Sequence, residues 1–215
     1  MVGAGVLIEC LENPWVQSVL AVGRKSCGVT HPKLREVIRS NFFDYRDATA
    51  ALTGYDACFF CLGVSSAGMK EIEYHRLTYE LTLAAAEALA DLNPGMIFCY
   101  VSGEGTDTTE RGRFMWARVK GKTENHLMQM PFKAAFMFRP GFIQPLKGVR
   151  SKTRLYQAFY NVLGPLYPLL RRVVPAHMTT TENVGRAMIN VVAGGYPKRV
   201  LENTDINAVA AAREG

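Results

Sequence analysis

Short, unbroken apolar runs alternate along this chain with longer stretches of helical spacing. Ser18 to Val22, Ala57 to Leu62, Met96 to Val101 and Ala134 to Phe138 are polar only at their ends, the pattern of strands covered on both faces. A weaker strand is expected somewhere in Glu36 to Phe43. Helices are expected over Ala4 to Leu11, stopped before Pro14, and over Arg46 to Leu52, Met69 to Leu92 and Phe114 to Met128. In the longest of these, Leu77, Leu81, Ala84 and Ala88 recur at i, i+4, i+7 and i+11 and make one buried stripe. Near the end, Thr181 can cap a helix from Glu182 to Val192 that Gly194-Gly195 terminates. A short strand, Arg199 to Glu202, and a helix from Asp205 to Ala212 follow. Alternating strand and helix predicts an α/β chain with a doubly wound parallel sheet between helical layers.

Pro140 to Thr180 breaks the alternation. It holds Pro140, Pro145, Pro165, Pro168 and Pro175 among Tyr, Leu and Phe, and reads as a small irregular lobe on the carboxyl edge of the sheet. That edge is where open α/β sheets bind ligands. The 215 residues are therefore read as one domain, with residues 140–180 a substrate or lid lobe. The same region is biased in charge. Between Glu124 and Glu182 there is no carboxylate, while Lys133, Arg139, Lys147, Arg150, Lys152, Arg154, Arg171 and Arg172 are basic. The bias admits a lobe with solvated charges, a lid over an anionic or greasy substrate, or a surface helix at Leu155 to Gly164 touching anionic membrane.

Composition narrows the classes. Hydrophobic residues at 48% and charged residues at 20% belong to a chain that buries a core, not to a disordered one. Twenty-five Lys and Arg against nineteen Asp and Glu give a net charge of +6, which suits an anionic small molecule. Nucleic acid is not expected, because no aromatic and basic residues interleave on a strand platform. No uncharged apolar run reaches about 18 residues, so a spanning helix is not expected. The apolar stretch Val2 to Leu11 lacks a basic start and carries Glu9, so it is not read as a secretion signal. Five scattered cysteines (Cys10, Cys27, Cys58, Cys61, Cys99) fit a reducing compartment, and the expected location is cytoplasmic. Cys58-Phe-Phe-Cys61 lies in a strand-like run, where an offset of three puts the sulfurs on opposite faces and makes them packing residues. The four histidines show no ligand spacing, so no metal is expected.

The chemistry begins at Met1-Val2-Gly3-Ala4-Gly5-Val6-Leu7, which looks like the last part of a glycine-rich dinucleotide turn opening its helix. A strand end follows about 20 residues beyond Gly3, where such folds place the residue that reads the ribose. Arg24 and Lys25 stand there, without an acid. A carboxylate would accept from the 2′-hydroxyl of NAD, whereas a guanidinium and an ammonium suit the 2′-phosphate of NADP. The expected cofactor is therefore NADP, with NAD the second choice.

Four further segments carry a resemblance. Leu62-Gly63-Val64 and Tyr100-Val101-Ser102-Gly103 close two strands, Trp116-Ala-Arg-Val-Lys120 opens a helix, and Phe138-Arg-Pro-Gly-Phe142 follows the next strand. Together, in this order and spacing, they resemble the short-chain dehydrogenase/reductase superfamily, in its extended and atypical, NAD(P)-dependent epimerase/dehydratase-like branch. The resemblance spans essentially the whole chain and implies a Rossmann-type fold. It implies that Gly3 packs the phosphate-binding turn and that Leu62 and Gly63 line the adenosine and ribose side. Val64, Ser102, Gly141 and Phe142 would face the substrate, with Ser102 bonding its carbonyl or hydroxyl. Lys120 would hold the nicotinamide ribose, and Pro140 would border the nicotinamide. A homodimer through the two long helices is common in the superfamily.

Two departures stand out. Trp116 occupies the catalytic position where the family carries a tyrosine four residues before the lysine, and an indole donates without titrating. A proton would then come from Ser102, Tyr100 or water relayed through Lys120, with Glu104 and Asp107 the nearest carboxylates. In addition, no strand or first glycines precede Gly3, so the strand usual at the sheet centre is expected to be missing and cofactor affinity weakened. The expected function is an NADP-preferring oxidoreductase or epimerase-like enzyme acting on a small carbonyl or hydroxyl substrate. The alternative is a protein that binds the dinucleotide without chemistry, as a redox sensor, assembly factor or membrane-associated scaffold.

Overall fold

The computed structural model describes residues 1–148 and 175–212. The helices and strands alternate as α1 (Val2–Glu12), β1 (Val19–Gly23), β2 (Leu34–Ile38), α2 (Thr49–Leu52) and β3 (Ala57–Phe60). Next come α3 (Glu71–His75), α4 (Leu81–Leu92), β4 (Ile97–Val101), α5 (Met115–Gln129) and β5 (Ala134–Arg139). The remaining elements are β6 (Phe142–Gln144), β7 (Met178–Thr180), α6 (Thr181–Gly194), β8 (Val200–Glu202) and α7 (Asn203–Ala211).

Among the described residues all strand pairs are parallel, and they run in the order β3-β4-β5-β8, with β1-β2 and β6-β7 as separate pairs. Side chains alternate between two cores, one on each face. On one face Cys99, Phe136 and Phe138 meet Val6 of α1, Val184 and Met188 of α6 and Ile206 of α7. On the other, Phe60, Phe98, Tyr100 and Met137 meet Leu52 of α2, Leu83 and Leu89 of α4 and Leu127 of α5. Cys61 packs against the first core and Cys58 against the second, the opposite-face placement that the strand period requires. Among the five thiols, only that of Cys27 is exposed.

Among the described residues no strand joins β1 to β3. The two sheets nonetheless run the same way. The N-terminus of α1 lies at the carboxyl end of β3, where a Cβ on Gly3 would stand 3.2 Å from that of Cys61. The far end of α1 lies by the start of β2, where Lys33 Nζ donates to the Asn13 carbonyl oxygen at 2.7 Å.

Several boundaries differ from the pattern. Strand β2 starts at Leu34, ahead of the expected window, because Lys33 and Val19 bond through their backbones and set the register there. The long helix begins at Glu71 and is interrupted by a π-helical segment, Arg76–Glu80. Thr180, rather than Thr181, caps α6, its hydroxyl accepting from Asn183 N at 3.0 Å. Thr181 is buried against Gly5 and accepts from Leu146 N at 3.1 Å. Helix α7 begins at Asn203 because Glu202 and Asp205 form a reciprocal capping box. The lobe expected over residues 140–180 is framed by β6 and β7, which pair Phe142 with Met178 and Gln144 with Thr180. Its centre, including Leu155 to Gly164, Arg150, Lys152, Arg154, Arg171 and Arg172, lies outside the described residues.

Helices α1 and α6 approach closely because Gly185 has no side chain: a Cβ there would sit 2.8 Å from Glu9 Cβ and 3.2 Å from Val6 Cα. Gly185→Ala is expected to lower stability by about 1–3 kcal/mol through overpacking. Gly95→Ala, where nothing lies within 4 Å, is expected to be near neutral. Urea midpoints at unchanged m-value check both.

Candidate functional site at the carboxyl edge of the sheet

The carboxyl end of β4 carries the ladder one residue beyond the strand, Ser102 N donating to the Phe138 carbonyl oxygen at 2.9 Å. The chain then turns through Gly103, at φ +140°, a conformation that favours glycine. A Cβ there would lie 3.7 Å from Lys120 Nζ and 4.0 Å from the Pro140 carbonyl oxygen. Lys120 Nζ donates to the Ser102 carbonyl oxygen. The structure thus brings Ser102, Gly103, Lys120 and Pro140 into one corner. Burial pushes the Lys120 ammonium down to about 8, against the opposing pull of Glu124.

Helix geometry explains the arrangement. Ala117, Lys120, Gly121 and Glu124 recur at i, i+3, i+4 and i+7, so α5 turns all four toward the sheet. Gly121 lets the helix close on the loop after β4, since a Cβ there would lie 1.7 Å from the Asp107 carbonyl oxygen. One turn past Lys120, Glu124 is fully buried. Its carboxylate accepts from Arg139 Nε at 3.0 Å and from Arg139 Nη2, while Arg139 Nη1 reaches Glu202 at 3.1 Å.

That network decides the orientation of Ser102. Its hydroxyl lies 2.5 Å from Glu124 Oε1 and 3.2 Å from the Phe138 carbonyl oxygen, inside the protein. The side chain expected to face substrate is turned into the interior by a carboxylate whose one neutral donor among the described residues is this hydroxyl. Tyr100 is likewise excluded as a proton source, since it is buried in the second core and burial raises its phenol strongly. Asp107 organises a turn, accepting from Thr109 N at 3.0 Å and Gly112 N at 2.6 Å; the Thr109 hydroxyl and these amides hold its carboxyl below the usual range. The Trp116 indole packs on Gly105, whose Cβ would lie 3.4 Å from its ring.

Along the rest of the edge, Leu62, Gly63 and Val64 follow β3 as an exposed segment, and Gly3 is exposed at the start of α1. Arg24 and Lys25 follow β1, exposed and without a hydrogen-bond or ion-pair partner among the described residues. Glu36 of β2 shapes their loop by accepting from Ser26 Oγ at 2.8 Å and Cys27 N at 2.7 Å. Beyond β5, Gly141 is clamped: its N–H donates to Asn203 Oδ1 at 3.0 Å, and a Cβ there would meet the His177 carbonyl oxygen at 2.4 Å. Phe142 opens β6, half-buried. Glu124, Asn203 and His177 were not legible as site residues. The one available signal was the spacing of Lys120 and Glu124, which puts both on one helix face.

A nicotinamide dinucleotide fits these residues. The Val2 and Gly3 N–H groups open a helix toward the edge, as phosphate sites require. Lys120 supplies a desolvated cation, and Arg24 and Lys25 supply two cations without partners among the described residues. The architecture is that of a doubly wound α/β protein with its cleft at the strand ends.

No protein-family model matches the chain. Protein fmp52, mitochondrial, of Emericella nidulans is 24% identical over 200 residues, covering 88% of this chain and 82% of that protein. Botcinic acid biosynthesis cluster B protein 16 of Botryotinia fuckeliana is 31% identical over 137 residues, covering 56% of this chain and 84% of that protein. Among solved structures, the enzyme WbmF of Bordetella bronchiseptica in complex with NAD+ superposes with a TM-score of 0.64 at 18% identity, over 97% of this chain and 73% of that one. The ADP-L-glycero-D-manno-heptose-6-epimerase of Helicobacter pylori gives a TM-score of 0.64 at 12% identity, over 98% and 78%. The chain belongs to the family of Botcinic acid biosynthesis cluster B protein 16, and it shares the doubly wound α/β fold of WbmF and the heptose epimerase. The fmp52 proteins of Emericella nidulans, Aspergillus clavatus and Aspergillus fumigatus are named mitochondrial, which overturns the cytoplasmic placement. Scattered cysteines are a signal of redox conditions, not of one compartment, so they did not distinguish cytoplasm from mitochondrion.

Removing Arg139 would leave Glu124 buried without its cation. Arg139→Met is expected to lose about 3–5 kcal/mol of stability, against about 1 kcal/mol for Ser102→Ala, which removes one neutral donor. Chemical denaturation of both variants checks the ordering, and equal losses would refute it.

Proposed function

We propose that the chain is an NADP-preferring oxidoreductase or epimerase-like enzyme that acts on a carbonyl or hydroxyl compound. The observation that carries this reading is Lys120, an ammonium drawn out of water onto the Ser102 carbonyl oxygen beside Gly103. A cation kept partly desolvated at a strand-end cleft is poorly placed for stability and well placed for a polar ligand. Related structures solved with NAD+ support the choice of a nicotinamide dinucleotide. Arg24 and Lys25 would grip the 2′-phosphate, Gly3 would admit the pyrophosphate to the start of α1, and Leu62 and Gly63 would line the adenosine side. Pro140 and Gly141 would wall the nicotinamide side, with Val64 and Phe142 toward the substrate. When bound, the dinucleotide supplies or accepts a hydride. Lys120 would hold the ribose hydroxyls and keep positive charge near the reacting oxygen. Relatives named mitochondrial support a mitochondrial location.

A second reading, binding without chemistry, draws on Trp116 packed over Gly105 and the inward Ser102 hydroxyl. Neither offers a titrating group to substrate.

Fluorescence titration tests the proposal. NADPH is expected to bind at least about tenfold tighter than NADH, the worth of one charge-assisted contact. Arg24→Ala with Lys25→Ala should erase that preference, and equal affinities in the native protein would refute it. The lowered Lys120 value sets a pH dependence: its charge is complete well below pH 8 and lost as pH rises through about 8. Dinucleotide affinity should therefore fall across that range and stay flat in Lys120→Met. Folding stability should move the opposite way. Between about 8 and 10.5 the unfolded chain holds a proton that the folded one has released, so stability rises with pH in that window.

A further inference from the structure

We propose that His177 and Glu104 form the acid–base pair of this site, with His177 exchanging the substrate proton and Glu104 positioning it. The proposal rests on the oxidoreductase reading above. The two residues are 73 positions apart in the chain, yet His177 Nδ1 and Glu104 Oε1 are hydrogen-bonded. Their corner is the one Lys120 borders. Glu104 N donates to the Pro140 carbonyl oxygen at 3.0 Å, and the preceding residue, Gly103, is the one whose Cβ would lie 3.7 Å from Lys120 Nζ. Gly141 lies between the partners, since a Cβ there would meet Glu104 Oε2 at 2.7 Å and the His177 carbonyl oxygen at 2.4 Å.

The pair is held from behind. Asn203, buried, donates from Nδ2 to the carbonyl oxygens of Ala176 at 2.9 Å and Met178 at 3.0 Å, on either side of His177. Its Oδ1 accepts from Gly141 N. One amide thus fixes the backbone of the histidine and of the residue it packs on. The side chains themselves stay reachable, 60% exposed for His177 and 39% for Glu104. With Nδ1–H donated to the carboxylate, the tautomer assigned from that partner leaves Nε2 as the exchanging nitrogen. Nε2 has no partner among the described residues. Of the other groups near this corner, Ser102 is spent on Glu124, Asp107 in its turn and Tyr100 in the core, Trp116 has no titrating atom, and the Lys120 ammonium is held on the Ser102 carbonyl oxygen.

In the reductive direction, a hydride from reduced nicotinamide dinucleotide, the co-reactant, forms a new C–H bond at the carbonyl carbon of the substrate. The C=O π pair moves onto oxygen. The Nε2–H bond of imidazolium breaks as the O–H bond forms, leaving an alcohol, a neutral imidazole and the oxidised dinucleotide. Glu104 keeps Nδ1–H throughout.

The test uses the full chain, with NADPH binding followed by nicotinamide fluorescence. Diethylpyrocarbonate should modify His177, mapped by mass spectrometry, and saturating NADPH should slow that modification severalfold. Turnover is then read with 4-nitrobenzaldehyde and 9,10-phenanthrenequinone across pH. His177→Gln should lower it about 100-fold, within the range of general acid catalysis, with NADPH affinity within twofold of the native protein. With NADPH saturating, so that the Lys120-dependent loss of affinity does not contribute, it should also remove the fall in rate on the alkaline side. Glu104→Gln, which keeps the imidazole, should lower turnover by a smaller factor and leave that limb in place. Three results would overturn the pair: His177 unprotected although NADPH binds, a His177→Gln profile like the native one, or a native protein that binds NADPH and reduces neither compound. A flat NADPH titration overturns the underlying oxidoreductase reading as well, and is told apart from the other three by that signal alone.

Discussion

A carboxylate removed from all contact with water must be met by charge, and Glu124 is the point at which this fold meets that demand. Arg139, at the end of β5, answers it with two nitrogens and extends a third to Glu202 at the end of β8. The Ser102 hydroxyl at the end of β4 completes the shell. Three adjacent strand ends and one helix are therefore locked by one arginine and the two carboxylates it pairs with, a geometry that tolerates little slack. Lys120 sits one turn earlier on the same helix face, so the turn that must bury the carboxylate also sets the ammonium against the Ser102 carbonyl oxygen. Its attraction to Glu124 partly offsets the loss of hydration that lowers its proton affinity.

The two ends of the cleft are built on different principles. Around β4, β5 and α5 the backbone is pinned by the buried network and by Asn203, which bridges Gly141 to both neighbours of His177. Around β1 the charged side chains stand exposed on a loop whose shape comes from Glu36 accepting from Ser26 and Cys27. On the proposed reading, precise placement falls where bonds would be made and broken, and adaptable cations where a phosphate would be gripped. Two of the basic residues in the carboxylate-free stretch also turn out to be structural. Arg139 holds Glu124, and Lys147 ties the start of the lobe to Glu9 at 2.6 Å and Glu12 at 2.5 Å.

The strands were legible because helices cover both faces, which leaves continuous apolar runs that few other structures require. Where that condition fails, so does the reading. Leu34-Arg-Glu-Val-Ile38 carries two exposed charged residues in its middle and, among the described residues, pairs with β1 alone, so its apolar signal is thin. The π-helical segment at Arg76–Glu80 left no mark in the stripe of leucines, which continues through it. Candidate residues in local motifs, such as Lys120 four positions after Trp116, were named through the family resemblance those motifs carry. Residues that matter through long-range meeting were not: Glu124 looked like an ordinary helix carboxylate, and Glu104, though noted as a nearby carboxylate, gave no sign of its partner His177 at the far end of the lobe. Burial, the property that makes Ser102 a structural donor, depends on Arg139 and Glu124 arriving together, and no window along the chain contains that information.

The thiols hold a practical consequence. Burial lifts Cys10 and Cys61 to about 12 and raises Cys58 and Cys99 further, so at neutral pH all four are protonated and shielded from electrophiles. Cys27 alone faces solvent, two positions past Lys25 and donating its N–H to the carboxylate that shapes that loop. A maleimide dye would accordingly attach at one place, turning the native chain, without any engineered cysteine, into an optical reporter of events at the end of β1.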